Sequence, residues 1–124
     1  RAGANLFANS LLALDASTGK RIWHYQMIHH DIWDWDLPAA PVLLDITVDG
    51  RAIKALIQPT KQSYMFVLDR VTGEPVWPIT EMPVKQGDVP GEGYSPPQPI
   101  PTKPPPVDRV ELLSESQIAQ AGQA

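Results

Sequence analysis

Two stretches of the sequence, ALDASTGKRIW at Ala13–Trp23 and VLDRVTGEPVW at Val67–Trp77, decide how this chain folds. They share the pattern D-x-x-T-G-[KE]-x-x-W, which begins at Asp15 in the first copy and at Asp69 in the second. Two copies at a spacing of this order are typical of proteins built from repeated units. One copy alone is weak evidence, because any β-hairpin can carry D-x-x-T-G. Two copies with the tryptophan in register predict a repeat architecture.

Each copy of the pattern predicts a tight corner between two strands. The aspartate carboxylate and the threonine hydroxyl can bind backbone amides across the turn, and Gly19 or Gly73 can supply a position with positive φ. The tryptophan four residues after the glycine is then expected on the next strand, as a large side chain that packs against a neighbour. We therefore expect Trp23 and Trp77 to be packing residues on strands.

The sequence around these corners is typical of β structure. Short apolar or alternating runs are separated by turn residues. Five runs are predicted to be strands: Leu11–Leu14, Arg21–Tyr25, Val42–Val48, Ile53–Ile57 and Tyr64–Leu68.

A hairpin between two of these strands can be paired residue by residue. If Asp49–Gly50 forms a two-residue turn, residues whose numbers sum to 99 face each other. Val42 then faces Ile57 on the apolar side, and Asp45 faces Lys54 on the other side as an oppositely charged pair. A slip of one residue would destroy both relationships, so two independent features predict the register.

The same register brings two charged side chains to one end of the sheet. Lys61 falls opposite Pro38, just beyond the ends of the strands, and Asp34 lies four residues before Pro38. We therefore expect the Asp34 carboxylate and the Lys61 ammonium to share one site. Loops at one end of a rigid sheet are where functional sites are commonly built.

Asp34 belongs to HHDIWDWDLP at His29–Pro38, a stretch of three carboxylates, two imidazoles and two indoles. A zinc site formed by this stretch alone is disfavoured, because adjacent residues on an extended chain point to opposite sides and no His-x-x-x-His spacing occurs. Structural roles are the simpler interpretation of the other side chains: hydrogen bonding for His29 and His30, turn capping for Asp31 and Asp36, and packing between strands for Trp33 and Trp35.

Asp34 itself is the candidate functional residue, because it lies between two indoles in the sequence. Burial between the rings would make its carboxylate a stronger base near neutral pH, while a nearby lysine or cation would hold it ionised. On residue type alone, functional and structural interpretations of Asp34 and Lys61 both stay open.

Length and composition exclude several classes of function. The 124 residues are enough for one small domain at most, and a net charge of −4 argues against a nucleic-acid or polybasic membrane surface. There is no cysteine, so this segment has no disulfide and no thiolate metal site. No apolar run approaches the roughly 20 residues of a membrane span, and no signal peptide opens the chain. Because no initiator Met precedes the first strand-like pattern, we interpret the chain as a piece of a larger protein.

Composition divides the chain into three segments. Residues 1–77 carry the predicted strands, and residues 78–113 contain most of the prolines, including SPPQPIPTKPPP. A stretch so rich in proline cannot form a helix or a central strand, so we expect an extended, polyproline-like insertion. Residues 114–124 begin with Ser114 and have Gln117 three residues later, a capping-box pattern that predicts a short helix.

These motifs together resemble the pyrroloquinoline-quinone-dependent dehydrogenases. The repeat is similar to the tryptophan-docking motif of eight-bladed quinoprotein propellers. H-H-D-x-W-D-x-D-x-P followed by P-x-K is similar to the membrane-bound glucose dehydrogenase branch and its quinate and polyol relatives. The similarity covers nearly all of residues 6–106. It implies an all-β propeller of four-stranded blades around a central axis, of which this chain would supply about two blades.

The resemblance also implies roles for the two paired residues. Asp34 matches the family's catalytic aspartate, the general base that takes the hydroxyl proton as hydride passes from the alcohol to C5 of pyrroloquinoline quinone. The same aspartate can ligate the Ca²⁺ or Mg²⁺ ion that polarises the C5 carbonyl. Lys61 matches the family's Lys or Arg that donates hydrogen bonds to the quinone oxygens. Addition of the alcohol to C5 is an alternative mechanism that uses the same base.

The resemblance thus predicts a segment of an enzyme that oxidises a sugar, polyol or alcohol on the periplasmic side of the bacterial inner membrane. Its electrons would pass to ubiquinone or another respiratory acceptor. Further metal ligands and a quinone-stacking tryptophan are expected upstream of Arg1, so the isolated chain is expected to bind no quinone. Two alternatives stay open: a non-catalytic propeller that binds proteins, and an enzyme relative that has lost its upstream ligands. The placement of Asp34 and Lys61 favours the enzyme.

Overall fold

A computed structural model describes residues 3–85 and 87–108. This part of the chain contains seven strands, which form three antiparallel sheets in the orders β1-β2, β3-β4-β5 and β6-β7. The strands are β1 (Ser10–Leu14), β2 (Arg21–Gln26), β3 (Val42–Val48), β4 (Arg51–Pro59), β5 (Met65–Asp69), β6 (Ile79–Pro83) and β7 (Pro97–Pro101). The five predicted strands and the all-β class are confirmed. The helix predicted over residues 114–124 lies outside the described residues.

Both copies of the repeat form the same turn. In each, the aspartate Oδ1 accepts a hydrogen bond from the backbone amide two residues later, at 3.0 Å for Asp15 and 2.8 Å for Asp69. The glycine amide donates back to the carbonyl of the same aspartate at 2.8 Å in both copies. Gly19 and Gly73 have φ values of 68° and 79°, in the left-handed region that favours glycine. The corner predicted from the sequence is therefore confirmed twice.

Trp23 joins the first corner to the second. Its Nε1 donates a hydrogen bond to the carbonyl of Arg70 at 3.1 Å. Its ring covers Gly73 so closely that a Cβ atom at this position would lie 2.7 Å from Cδ2 of the indole. Trp23 is thus the packing residue that the repeat predicted, and its partner is the glycine of the next copy.

Trp77 differs from its counterpart in the first copy. The sequence predicted it on a strand, but it lies in a bend between β5 and β6. Pro75 and Pro78 flank it, and a proline has no amide with which to continue a ladder. Only an isolated bridge between Leu68 and Pro75 forms there. The second corner therefore binds Trp23 of the first copy, but the chain after it does not form a second strand paired with β5.

The β3–β4 hairpin has the predicted register. Val42 faces Ile57, and the pairing continues to the turn, where Val48 faces Arg51. Asp49 and Gly50 both have positive φ, 49° and 76°, as a two-residue type I′ turn requires. β5 then pairs with the other edge of β4, so the end of this sheet near Pro59 is held from both sides.

Asp45 has a different charge partner from the one expected. It faces Lys54 in the ladder, as predicted, but its Oδ1 lies 2.9 Å from Nη2 of Arg70. Nη1 of the same guanidinium donates hydrogen bonds to the carbonyls of Leu44 and Ala55 at 2.8 and 3.2 Å. Arg70 therefore ties the second corner to the β3–β4 hairpin, a role that its sequence neighbours do not reveal.

The proline-rich stretch is extended, as expected, but two parts of it pair with each other. The end bonds of the β6–β7 ladder run from the Val84 amide to the Pro96 carbonyl at 2.9 Å, and from the Thr102 amide to the Pro78 carbonyl at 3.0 Å. Both involve even-numbered positions, so the odd-numbered positions are the non-hydrogen-bonded ones. The β7 prolines at 97, 99 and 101 are all odd, and their missing amides point out of the ladder. Their alternation therefore permits an edge strand in a two-stranded sheet, which is consistent with the prediction that this stretch forms no central strand.

The buried core is formed by the residues that follow β2 and by residues of β5. Met27, Ile28, Phe66 and Leu68 are fully buried. Partly buried side chains from several strands and loops pack on them: Leu11, Trp23, Tyr25, Trp35, Leu37, Tyr64 and Ile79. The loop that begins at His29 therefore directly follows two residues, Met27 and Ile28, that are anchored in this core. The described residues contain no helix that could span a membrane.

Candidate active site

The loop at 29–38 is fixed at its first residue by a glutamine from the proline-rich hairpin. Gln98 on β7 is 1% exposed, and its Oε1 accepts a hydrogen bond from the His29 amide at 2.8 Å. Its Nε2 donates to the His29 carbonyl at 2.7 Å. One buried amide side chain thus satisfies both backbone groups of His29, and it connects β7 to the candidate site.

The two histidines make hydrogen bonds within the fold. The His29 ring places Nδ1 2.9 Å from Oε1 of Gln26 and Nε2 3.0 Å from Oε1 of Glu81. Nδ1 of His30 lies 2.6 Å from the carbonyl oxygen of Gly3. Within residues 3–85 and 87–108, no group of three or more His, Asp or Glu side chains could hold a metal ion. The hydrogen-bonding interpretation of both histidines is therefore confirmed.

Asp31 organises the middle of the loop. Its Oδ1 accepts a hydrogen bond from the amide of Trp33, and its Oδ2 accepts one from the amide of Trp35, both at 2.8 Å. Asn9, just before β1, donates from Nδ2 to the same Oδ2 at 2.8 Å. The capping role expected of Asp31 is confirmed, and Asn9 is a partner that sequence reasoning missed.

The two indoles pack on each other and leave Asp34 outside. The ring centroids of Trp33 and Trp35 are 4.5 Å apart with an interplanar angle of 25°, and Tyr94 lies against Trp33 with its centroid 5.9 Å away. Asp34 has a φ of 60°, and its side chain is 86% exposed. The expected burial of Asp34 between the rings is therefore wrong, because residues on either side of it share one face and Asp34 takes the other.

Asp34 and Lys61 meet as the hairpin register predicted. Lys61 Nζ donates a hydrogen bond to the Asp34 carbonyl at 2.7 Å and lies 3.4 Å from Oδ2 of the same residue. Oδ2 of Asp36 lies 3.6 Å from the same nitrogen. Asp36 caps no turn in the described residues, so the capping role predicted for it is wrong and its carboxylate faces Lys61 instead. The ammonium thus lies between two carboxylates at the end of the sheet.

A groove of about 340 Å³ borders the indole side of the loop. Trp33 lines it together with residues of the β6–β7 connection: Lys85, Gly87, Asp88, Glu92 and Tyr94, with Ile32 at its edge. Burial raises the pKa of Tyr94, and the nearby Glu92 and Asp88 carboxylates raise it further. Asp34, Asp36 and Lys61 do not line the groove, so it is separate from the carboxylate and ammonium site.

The fold and the site together define a class of protein. Strands joined by repeated corners, with a tryptophan of one repeat docked on the glycine of the next, are the construction of a β-propeller. Two carboxylates and an ammonium in loops at one end of a sheet are typical of a site built on such a scaffold.

Comparison with known proteins narrows this class to a family. The family described as "PQQ: Glucose/ethanol/alcohol dehydrogenase, beta-propeller domain" matches residues 1–123, and the chain belongs to it. The chain is 52% identical over 94 residues to a quinoprotein glucose dehydrogenase of Escherichia coli (strain K12), which covers 76% of this chain and 12% of that protein. It is 43% identical over 113 residues to a quinate/shikimate dehydrogenase (quinone) of Acinetobacter baylyi, covering 90% of this chain and 14% of that protein.

Solved structures show the same relationship. The quinohemoprotein alcohol dehydrogenase from Comamonas testosteroni matches 81% of this chain and 14% of its own length, with a TM-score of 0.59 and 32% identity. A europium-containing methanol dehydrogenase matches 61% of this chain and 14% of its own length, with a TM-score of 0.55 and 32% identity. The expected segment of a quinoprotein propeller is confirmed. The chain spans about an eighth of the length of the Escherichia coli relative.

Proposed function

We propose that this chain is the segment of a pyrroloquinoline-quinone-dependent dehydrogenase that carries the general base, Asp34, and a quinone-binding lysine, Lys61. The parent enzyme would oxidise a hydroxyl group of a sugar, polyol or alcohol. The observation that carries this proposal is the contact of Lys61 Nζ with the Asp34 carbonyl at 2.7 Å and with its carboxylate at 3.4 Å. The two residues are 27 positions apart, and the hairpin between them brings them together.

The proposed base has the geometry for proton transfer. Its carboxylate is 86% exposed, so an oxygen is free to accept the proton of a substrate hydroxyl. The Lys61 ammonium lies 3.4 Å from this carboxylate, and the ionised carboxylate is the form that acts as a base. Proton uptake would therefore occur at Asp34 while Lys61 keeps a positive charge at the same end of the sheet.

Lys61 and Asp34 also fit the cofactors that the family implies. An ammonium has three donors, and those not directed at Asp34 can bond a quinone oxygen and stabilise negative charge on it. The carboxylate oxygens of Asp34 are hard ligands of the kind that Ca²⁺ and Mg²⁺ prefer. The bound quinone supplies the acceptor for hydride. Because Ca²⁺ takes six to eight oxygen ligands, the other ligands would come from the rest of the parent protein.

The exposed apolar surface of this chain is expected to pack against the rest of the propeller. Several large apolar side chains on the strands are strongly exposed, including Ile22 at 63%, Val42 at 58% and Leu43 at 62%. Soluble proteins rarely leave such surfaces uncovered, and a repeat unit normally buries them against its neighbours. We therefore expect the isolated chain to be inactive and the parent to be required for quinone binding.

The electron acceptor and location are proposed from the relatives. The name of the Acinetobacter relative specifies a quinone, so the parent is proposed to pass its electrons to ubiquinone or another respiratory acceptor. From the family resemblance we propose that the parent works on the periplasmic side of the bacterial inner membrane. A net charge of −4 gives this chain no basic surface for nucleic acid.

The proposal is tested on the full-length parent enzyme. Purified apoprotein is reconstituted with pyrroloquinoline quinone and Ca²⁺ or Mg²⁺, and dye reduction is measured with glucose, quinate and simple alcohols. Asp34→Asn should lower kcat by about 100-fold or more, as expected for loss of a general base. Asp36→Asn is the matched control, because its carboxylate faces the same lysine, and it should retain most of the activity.

Two results would overturn this function. A well-folded parent that binds no quinone would be a propeller scaffold for protein binding instead of an enzyme. An Asp34→Asn variant with full activity would show that another residue is the base.

A further inference from the structure

We propose that Asp31 is a positioning residue for Asp34, a role that rests on the proposed function of Asp34 as the base. The two oxygens of the Asp31 carboxylate accept hydrogen bonds from the amides of Trp33 and Trp35, both at 2.8 Å. These two residues are the neighbours of Asp34 on either side. One side chain therefore holds the backbone immediately before and immediately after the proposed base.

The backbone conformation of Asp34 explains why it needs such a support. Its φ of 60° lies in the left-handed region, which aspartate adopts more often than most residues with a Cβ but which is still less favourable than the ordinary regions. Hydrogen bonds to an ionised carboxylate are stronger than those between neutral groups, and Asp31 makes two of them around this one strained residue. Without them, the loop could relax to an ordinary conformation, and the Asp34 side chain would leave the position it shares with Lys61.

Asp31 is itself held by a side chain from the turn that precedes β1. Asn9 Nδ2 donates to Asp31 Oδ2 at 2.8 Å, and the Asn9 carbonyl accepts a hydrogen bond from the amide of buried Met27 at 2.9 Å. A continuous set of hydrogen bonds thus runs from the end of β2 through Asn9 and Asp31 to the backbone around Asp34. The carboxylate cannot rotate away without breaking three bonds.

The backbone of Asp34 would therefore be held by Asp31 and by Lys61 together. Asp31 accepts hydrogen bonds from the amides of the two neighbouring residues, and Lys61 donates to the Asp34 carbonyl at 2.7 Å. Among the described residues, Asp31 makes no hydrogen bond or ion pair with the side chains of Asp34 and Lys61, so its effect on the reaction would pass through the geometry of Asp34.

The test compares Asp31→Asn with Asp15→Asn in the full-length holoenzyme. Asp15 is a matched control, because its carboxylate also caps a turn through two backbone amides, at 3.0 and 2.8 Å, in a corner that belongs to the structural repeat. Asn at position 31 keeps one acceptor oxygen and loses the other, so one of the two flanking amides is released. We expect Asp31→Asn to lower kcat by about 10- to 100-fold, the usual effect of losing a partner that orients a functional group. KM, quinone affinity and Tm should stay close to those of Asp15→Asn.

A double variant separates positioning from a general structural effect. If Asp31 acts through Asp34, adding Asp31→Asn to Asp34→Asn should cause no further loss of kcat, because groups that act as a unit are not additive. A further 10-fold loss in the double variant would overturn the proposal.

The same set of variants distinguishes the two proposals from each other. If Asp34→Asn is inactive while Asp31→Asn is as active as Asp15→Asn, only the positioning role is wrong. If Asp34→Asn itself is fully active, the proposed base is wrong, and the positioning role fails with it.

Discussion

Lys61 is bonded more closely to the backbone of Asp34 than to its side chain. Nζ lies 2.7 Å from the Asp34 carbonyl oxygen and 3.4 Å from Oδ2. The shorter contact does not depend on the protonation or the rotation of the carboxylate. Lys61 can therefore stay in place when the Asp34 side chain rotates, which the proposed role of Asp34 as the base would require.

Replacement of Lys61 by methionine should weaken quinone binding in the parent enzyme. A hydrogen bond to a charged group contributes about 1.5–3 kcal/mol, which corresponds to about 10- to 100-fold in affinity. Titration of the apoprotein with pyrroloquinoline quinone measures this directly. Lys54→Met is the matched control, since Lys54 is exposed on the same hairpin away from the loop. Equal affinities of the two variants would contradict a quinone-binding role for Lys61.

Replacement of Gly73 by alanine should destabilise the parent more than the same change at Gly19. Both glycines have positive φ, so each variant bears the cost of about 1–2 kcal/mol for a Cβ in the left-handed region. At Gly19 nothing lies within 4 Å of the new atom, whereas at Gly73 it would lie 2.7 Å from the ring of Trp23. Overpacking adds about 1–3 kcal/mol. Thermal unfolding of the two variants checks this difference, and equal Tm values would show that Trp23 moves away without cost.

Local rules were sufficient to predict much of the fold and the meeting of two site residues. The alternation of side chains and the turn at Asp49–Gly50 determine the register of the β3–β4 hairpin. Asp34 and Lys61 lie just beyond that register, so their proximity follows from the same rule. Both corners of the repeat were also predictable, because their hydrogen bonds run between residues two to five positions apart.

Contacts between distant segments could not be predicted in this way. Gln98 binds the backbone of His29 across 69 residues, and no local pattern marks that glutamine as different from others. The exposure of Asp34 was also missed, because no local sequence pattern predicts a positive φ at a residue other than glycine. The same holds for Arg70, whose partners on two other strands replace the expected Asp45–Lys54 ion pair.

Replacement of Gln98 by leucine should be among the most destabilising single changes in this segment. It would leave the amide and carbonyl of half-buried His29 without their Gln98 partners, at up to about 1–3 kcal/mol each. Gln58→Leu is a useful comparison, because Gln58 is also fully buried but its Oε1 has no hydrogen-bond partner among the described residues. Its Nε2 donates to the carbonyls of Ala39 and Pro59 at 2.9 and 2.8 Å, so Gln58→Leu also loses two hydrogen bonds. It eliminates an unsatisfied atom at the same time, so it should cost less than Gln98→Leu. Denaturant unfolding of both variants in the parent measures the difference, and a smaller loss for Gln98→Leu would contradict it.

The stabilising effect of Asp15 should depend on pH between its ordinary pKa and its lowered one. The hydroxyls of Ser17 and Thr18 and their backbone amides lower the pKa of Asp15 from 3.8 to about 2. Its folded-state pKa is below the unfolded value, so the stabilisation is present above pH 3.8 and is lost as the pH falls toward 2. The Tm difference between the parent and Asp15→Asn should therefore shrink across this window. In a Ser17→Ala background, the shrinkage should be smaller, because the largest cause of the shift is gone. A Tm difference that is constant from pH 5 to pH 2 would show that the carboxylate titrates alike in both states.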